Sequence, residues 1–273
     1  MTRRASSWEG QTLQALKERW DRPHVHVYSR IDSTNLRAKE LAEEDAAAGT
    51  IVLADEQTAG RGVAGRRWHS PRGQGLYLSL ILRPREATNP LLVPLLAGMG
   101  TARAIERLAE DVHPVIKWPN DLIVGDRKVG GVLSEASWAG AVPRYLVVGI
   151  GLNVRQREQD FPQELRGIAA SLEGAAGRRI SRLELADLVI EEVEERCANP
   201  PASLDRDCLR EFDERDWLRD RRCAIEREDA APRRGTAVGI APDGALLFRP
   251  DRGPLERVTS GRIAVDELRM PEY

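Results

Sequence analysis

The chain has 273 residues, 41% hydrophobic and 31% charged, which is ordinary globular usage and enough for a sizeable core in one large domain with a smaller companion. Its 41 basic residues balance 43 acidic ones at a net charge of −2, so no global field selects nucleic acid or an anionic membrane. No apolar run follows the basic start "MTRRASSWEG", Pro94 breaks the longest apolar stretch, and the three cysteines form no CxxC pair; a secretory signal and a membrane span are not expected, and a reducing cytoplasm is.

Ser6 and Glu9 have capping-box spacing ahead of Leu13, Leu16 and Trp20, which recur at helical intervals. "VHVYSRIDSTN" reads as a strand running into a helix capped by Asp32 or Ser33, carrying Leu36 and Leu41 and stopping near Gly49. Its His24 and His26 would share one strand face, a weak metal-binding pattern. "TIVLADE" reads as the next strand, and Leu76–Arg83 as another, with Leu76, Leu78, Leu80 and Leu82 on one face. Pro90–Glu110 reads as a mostly apolar helix buried against a sheet. Short strands follow in "PVIKW", "DLIVGDRK", "VGGVLSEAS" and "RYLVVGIGLNV", with Gly125-Asp126 marking either a hairpin turn or a longer loop. Helices are expected over Arg182–Cys197 and Leu204–Arg219, separated by "NPPAS". From about Asp220 the texture changes to short alternating runs, as in a small barrel-like β domain appended to an α+β domain.

Three polar segments carry candidate chemistry. "DSTN" offers two hydroxyls and an amide at a helix start, suited to a neutral polar ligand or simply to a cap. "AGRGVAGRRWHSPRGQG" has the glycine spacing of a dinucleotide fingerprint, but that motif works only if the glycines open a helix. Here Arg66, Arg67 and Pro71 cannot continue one, so the segment reads as a loop between two strands. Its glycines allow close backbone approach and its arginines suit carboxylate or phosphate oxygens. In "KWPNDLIV", Lys117 shares a strand face with Val115, a costly place for an ammonium unless an anion meets it.

Together these segments resemble the biotin–protein ligases. That family shares an STN element, a Q-x-A-G-R-G-x-x-G-R-x-W loop followed by S-P-x-G-x-x-L-Y, a K-W-P-N-D strand end, and G-G-x-L-x-E and V-x-G-x-G-x-N segments. The counterparts are Ser33-Thr34-Asn35, Gln57 to Tyr77, Lys117–Asp121, Gly130–Ala136 and Val148–Val154, covering about Val25 to Asn153. The resemblance implies an α+β fold: a mixed β-sheet catalytic domain with helices packed on it over 23–219, a helical extension over 1–22, and a small SH3-like β-barrel over 220–273. It also implies ATP-dependent activation of biotin to biotinoyl-5′-AMP, then transfer to a lysine of a biotin carboxyl carrier domain of acetyl-CoA or pyruvate carboxylase.

By the same resemblance, Lys117 bridges the biotin carboxylate and the α-phosphate, and Arg61 adds a second positive contact. Ser33, Thr34, Asn35 and Gln57 bind biotin by uncharged hydrogen bonds, with Gly62 and Val63 beside them, while Gly131, Gly149 and Gly151 leave room for its valeryl chain. Gly60, Gly65, Arg66, Asn120 and Asn153 would face the nucleotide, and Trp68 would stack on adenine or sit in the core. Mg²⁺ is expected with ATP, Asp121 being the candidate protein ligand. Two departures stand out. The family usually has arginine where this chain has Val63, which predicts looser retention of the acyl-adenylate. Only about two dozen residues precede the first strand, too few for a DNA-binding module, so a monofunctional ligase without DNA binding is expected. Exposed sheet edges make a homodimer one expectation. Alternatives are a lipoate– or octanoate–protein ligase and a non-catalytic binder of biotin or nucleotide.

Overall fold

The computed structural model describes residues 2–140, 142–227 and 230–265. The end of the expected C-terminal domain, 266–273, lies outside the described residues.

An eight-stranded mixed sheet forms the centre. The chain enters as β1 (Arg3–Arg4), then makes a small hairpin of β2 (Ser7–Trp8) and β3 (Gln11–Thr12) before α1 (Leu13–Arg19). This corrects the capping-box expectation: Thr12 caps α1, and Glu9 and Gly10 form the hairpin turn at φ 47° and 78°. The glutamate is used elsewhere. It pairs with Arg155 and with Arg182, a fully buried arginine that also meets Asp55 at 3.0 Å and lies over the Trp8 ring at 5.0 Å. A buried guanidinium needs such partners, and they tie the N-terminal hairpin to the sheet.

β4 (Val25–Arg30), α2 (Thr34–Glu43) and β5 (Ile51–Ala54) make a parallel unit, β4 and β5 pairing in register from Val25↔Ile51. Ser33 rather than Asp32 caps α2, accepting from the Leu36 amide, and the helix stops at Glu43, short of Gly49. His26 is half-buried and its pKa is lowered chiefly by burial; among the described residues no cluster of His, Cys, Asp or Glu is built to hold a metal.

β6 (Gly75–Leu82) is buried at all eight positions, so it lies between two layers where the leucine alternation suggested one covered face. One layer is α2. The other, over β6, is α5 (Arg182–Cys197), beside which α3 (Leu92–Leu108) packs on β9 and on α5 itself, so that most of its residues are buried. β7 (Val115–Lys117), β8 (Asp121–Val124), β9 (Arg127–Ala139) and β10 (Val142–Asn153) complete the sheet as an antiparallel run, giving the order β1-β4-β5-β6-β10-β9-β8-β7. Gly125 and Asp126, at φ 54° and 60°, form the two-residue turn between β8 and β9, which settles the hairpin over the longer loop.

After the short α4 (Leu172–Ala176), α5 (Arg182–Cys197) has the expected bounds, whereas α6 (Arg206–Arg215) is shorter than the expected Leu204–Arg219. The remaining strands are β11 (Arg222–Arg227), β12 (Ala230–Ile240), β13 (Leu246–Pro250), β14 (Glu256–Val258) and β15 (Arg262–Val265). They form one five-stranded antiparallel sheet ordered β14-β13-β12-β11-β15. This small β unit is docked firmly. Trp118 donates its indole N–H to the Gly244 carbonyl at 2.9 Å, and one apolar core runs from Leu78 and Ile116 through Phe212 and Trp217 to Ile225 and Phe248.

Candidate active site

The glycine-rich segment joins β5 to β6 as a loop, and it does not open an α-helix. It doubles back on itself: Gly62 N–H donates to Arg66 O at 2.7 Å and Trp68 N–H to Gly60 O at 2.8 Å. Its tip, Val63–Gly65, is a single 3-10 turn with Ala64 at φ 56° and Gly65 at φ 73°. A side chain on Gly60 would strike Trp68 O and Ser70 Oγ at 2.6 and 2.7 Å, so glycine is required there for the loop to close.

Beneath the loop lies a narrow cleft with an enclosed volume of about 50 Å³. Its floor is polar and uncharged. Ser33, Thr34 and Asn35 enter it from the start of α2, Gln57 from the segment that follows β5, and Gly149, Ile150 and Gly151 from β10. Asn120, Asp121, Gly131, Val132 and Leu133 form its other wall. Cations gather at the open side: Arg61, Arg66 and Arg67 from the loop and Lys128 from β9. Val63 lines the same cleft and is 36% exposed, an apolar side chain among these charges.

The floor is held by a continuous row of hydrogen bonds. Gln57 Oε1 accepts from Thr34 N–H at 2.8 Å, while Gln57 Nε2 donates to Ser70 Oγ at 2.9 Å. Ser79 Oγ lies 2.9 Å from Thr34 Oγ1 and 2.6 Å from Asn35 Oδ1. Asn35 Nδ2 donates to Leu133 O at 3.1 Å and to Glu135 Oε2 at 3.2 Å. Glu135 in turn draws Arg61 to 3.3 Å and Lys39 to 3.8 Å. The loop's first arginine is thereby tethered, through a carboxylate and an amide, to the cleft floor.

Most of the sequence-derived candidates therefore converge, but four do not line the cleft. Gly60 packs inside the loop against Trp68 and Ser70, and Gly65 shapes the outer tip. Asn153 is buried at the end of β10, where its Oδ1 accepts from Gln156 Nε2 at 3.1 Å. Lys117, expected to bridge two anions, is buried with its ammonium 5.7 Å from the Trp217 ring, on the seam with the C-terminal unit. Burial pushes its pKa down to about 8, against the opposing pull of Asp121.

The lysine that does reach the cleft is Lys128, which the sequence reading passed over. Its ammonium pairs with Asp121 at 2.6 Å and lies 5.4 Å over the Trp68 ring. Trp68 is 8% exposed, so it is largely a core residue with its ring beneath the lysine and one edge in the cleft. Gly149 and Gly151 also act differently from expectation. A Cβ at Gly149 would fall 1.9 Å from Asn35 Oδ1, and one at Gly151 2.7 Å from Trp68 Nε1. The space those glycines leave is filled by the protein's own Asn35 and Trp68. Ser79 was also missed; the available signal was a lone hydroxyl inside the apolar run "GLYLSLIL".

Comparison with known proteins bears on the same region. Residues 27–153, from β4 to the end of β10, match the model of the biotin/lipoate A/B protein ligase family. The chain is 44% identical over 161 residues to the bifunctional ligase/repressor BirA of Bacillus subtilis, a match covering 58% of this chain and 49% of that protein. It thus spans about half the length of the first curated relatives it matches. It is 32% identical over 238 residues to the biotin–[acetyl-CoA-carboxylase] ligase of Paracoccus denitrificans, covering 83% of this chain and 95% of that one. Among solved structures, the biotin protein ligase of Aquifex aeolicus in complex with biotin and ATP superposes with a TM-score of 0.75 at 30% identity, covering 89% of this chain and 98% of that one.

Proposed function

The chain belongs to the biotin–protein ligase family, and from that premise we propose that it condenses biotin with ATP to biotinoyl-5′-AMP and transfers the biotinoyl group to a lysine of a biotin carboxyl carrier domain. The observation that carries this reading is the division of the cleft into an uncharged hydrogen-bonding floor and a cationic mouth. The floor suits a neutral polar ring. The mouth suits the meeting of a carboxylate and a phosphate, two anions that repel unless fixed positive charge holds them together.

In the first half-reaction a biotin carboxylate oxygen attacks the α-phosphorus and pyrophosphate leaves. Lys128 and Arg61 are the cations placed to neutralise the charge that accumulates there. Lys128 lines the cleft, and Lys117, which the sequence puts forward for the bridging role, shares its electrostatic surroundings, under the charges of Asp121, Lys128 and Arg66. Arg66 and Arg67 extend the positive lining toward the remaining phosphates. Mg²⁺ would arrive with ATP. One carboxylate with phosphate oxygens and waters is an ordinary set for it, and Asp121 is the carboxylate lining the cleft. In the second half-reaction the carrier's lysine amine attacks the anhydride carbonyl and AMP departs, which requires the loop to leave the mouth accessible. The reaction consumes ATP, which fits a cytoplasmic setting, and among the described residues no helix is long and apolar enough to cross a membrane.

The lipoate reading is weaker, because a dithiolane ring has no N–H or C=O groups with which to meet this polar floor. The decisive experiment incubates the chain with MgATP, a carrier domain, and either biotin or lipoate. We expect pyrophosphate release with biotin alone and a carrier heavier by one biotinoyl group in intact-mass analysis. Labelling by lipoate in preference to biotin, or no pyrophosphate with either, would overturn the proposal.

A further inference from the structure

Ser79 has no surface at all and does not line the cleft, yet it stands at the centre of the hydrogen-bonded row beneath the floor. The direction of that row follows from its obligate members. Asn35 Nδ2 faces a backbone carbonyl and a carboxylate, which only accept, so Asn35 Oδ1 is the atom turned to Ser79. An amide oxygen cannot donate, and at 2.6 Å the proton between the two must be the one on Ser79. Gln57 is fixed likewise, since its Oε1 accepts from the Thr34 backbone N–H. The Thr34 hydroxyl proton then has two destinations, Ser79 Oγ at 2.9 Å or Gln57 Oε1 at 3.1 Å, and both lie within the protein.

With its own proton spent on Asn35, Ser79 Oγ can only accept from Thr34. Thr34, which lines the cleft, is consequently left with hydroxyl lone pairs, and no proton, to offer a ligand there. The geometry depends on a further detail of the sheet. Gly149 stands opposite Ser79 in register, and the side chain it lacks is the space through which Asn35 Oδ1 reaches the hydroxyl.

We propose that Ser79 is a positioning residue for specificity: it draws the Thr34 hydroxyl proton inward, so that this part of the floor accepts hydrogen bonds and selects a ligand that presents N–H there. The inference rests on the reading of the cleft as a biotin site. It names a chemical preference, for a ureido N–H over an isosteric ring oxygen, and assigns the control of that preference to a residue the ligand does not touch.

Calorimetric titration of the full chain with biotin and with the two cyclic-carbamate analogues, in which one ureido N–H becomes a ring oxygen, tests this. The wild-type protein should bind biotin and discriminate strongly against at least one analogue, because lone pair would face lone pair. In Ser79→Ala the Thr34 hydroxyl keeps only the longer contact to Gln57 Oε1, at 3.1 Å, and can turn to donate to the ring oxygen, so the discrimination ratio should fall about tenfold, the scale of one hydrogen-bond preference. In a Thr34→Val background the same serine change should leave the ratio where Thr34→Val alone puts it. Ser79→Cys, nearly isosteric but a poor hydrogen-bonding group, should also lower the ratio, and it carries the test if the alanine variant does not fold. A loss of affinity equal for biotin and both analogues, an unchanged ratio, or an effect that persists without the Thr34 hydroxyl would overturn the proposal. Failure of the wild-type chain to bind biotin would instead overturn the functional reading beneath it.

Discussion

Two lysines flank β8, and by ordinary measures they are alike. Lys117 on β7 and Lys128 on β9 are each 7% exposed, and their ammonium groups lie 5.7 and 5.4 Å from a tryptophan ring. Their surroundings differ. Lys128 is paired with Asp121 at 2.6 Å, and its backbone is pinned on both sides, its N–H donating to Ile168 O and its carbonyl accepting from Ala170 N–H. Lys117 forms no ion pair among the described residues, and its indole, Trp217, is held from the linker by an N–H bond to Asp126 at 2.8 Å. Burial and an aromatic neighbour do not distinguish the two. The counter-charge and the opening to the cleft do.

The sharpest way to break this comparison is to remove each ammonium in turn. Lys128→Met should lower the rate of adenylate formation by about 10²–10³, as deletion of one transition-state charge contact does in a water-poor site. Pyrophosphate release under single-turnover conditions measures it. A drop of that size in Lys117→Met, with Lys128→Met near normal, would return the bridging role to Lys117. The second-largest effect is expected at Gly149→Ala. The added methyl would fall 1.9 Å from Asn35 Oδ1 and push the amide out of the floor, so biotin affinity should drop by more than about tenfold through broken buried hydrogen bonds. Calorimetry reads this, and near-wild-type affinity would mean that Asn35 is free to rearrange.

The loop and its neighbours were legible in the sequence because their signals are local. Glycines at Gly60, Gly62 and Gly65, arginines beside them, and a polar helix start need no tertiary information to point at anion and polar-ligand binding. The surroundings of the two lysines were not legible locally. A bulge between Leu122 and Ile123 shifts the β8–β9 register so that Ile123, not Val124, stands opposite Lys128. Such a bulge re-aims side chains and leaves no mark in the residue pattern. Lys117 was correctly read as an expensive lysine, but its partner is Trp217, one hundred positions later in the chain. Glu9 failed for a related reason. It has capping-box spacing from Ser6, and the Glu9-Gly10 pair instead turns a hairpin whose purpose is the buried Arg182.

The loop allows a smaller test. Val63 stands in the cationic mouth, where the sequence comparison with the family leads one to expect a guanidinium. Val63→Arg should add a charge-assisted contact of about 1.5–3 kcal/mol to the bound acyl-adenylate and slow its release at least tenfold. Rapid-mixing release assays measure it, and an unchanged rate would mean that Arg61, Arg66 and Arg67 already saturate the phosphate.

The last test concerns Lys117 itself and is read in stability more than in rate. Removing its charge should alter adenylation only a few-fold, since its field reaches the cleft without contact. Its folded pKa of about 8 lies below the value of about 10.4 expected in the unfolded chain. Between those limits the unfolded state binds more protons than the folded one, so stability rises with pH across that window. Below about pH 8 both states carry the proton, and the fold bears the full cost of the buried ammonium, on the order of 3 kcal/mol. Lys117→Met keeps the apolar stem against Trp217 and discards the charge. It should therefore be more stable than the parent at pH 7 in urea melts, and the advantage should shrink steadily between pH 8 and pH 10. If the variant is instead destabilised at pH 7, the ammonium has an anionic partner when the protein is in solution, and the contrast with Lys128 is one of degree.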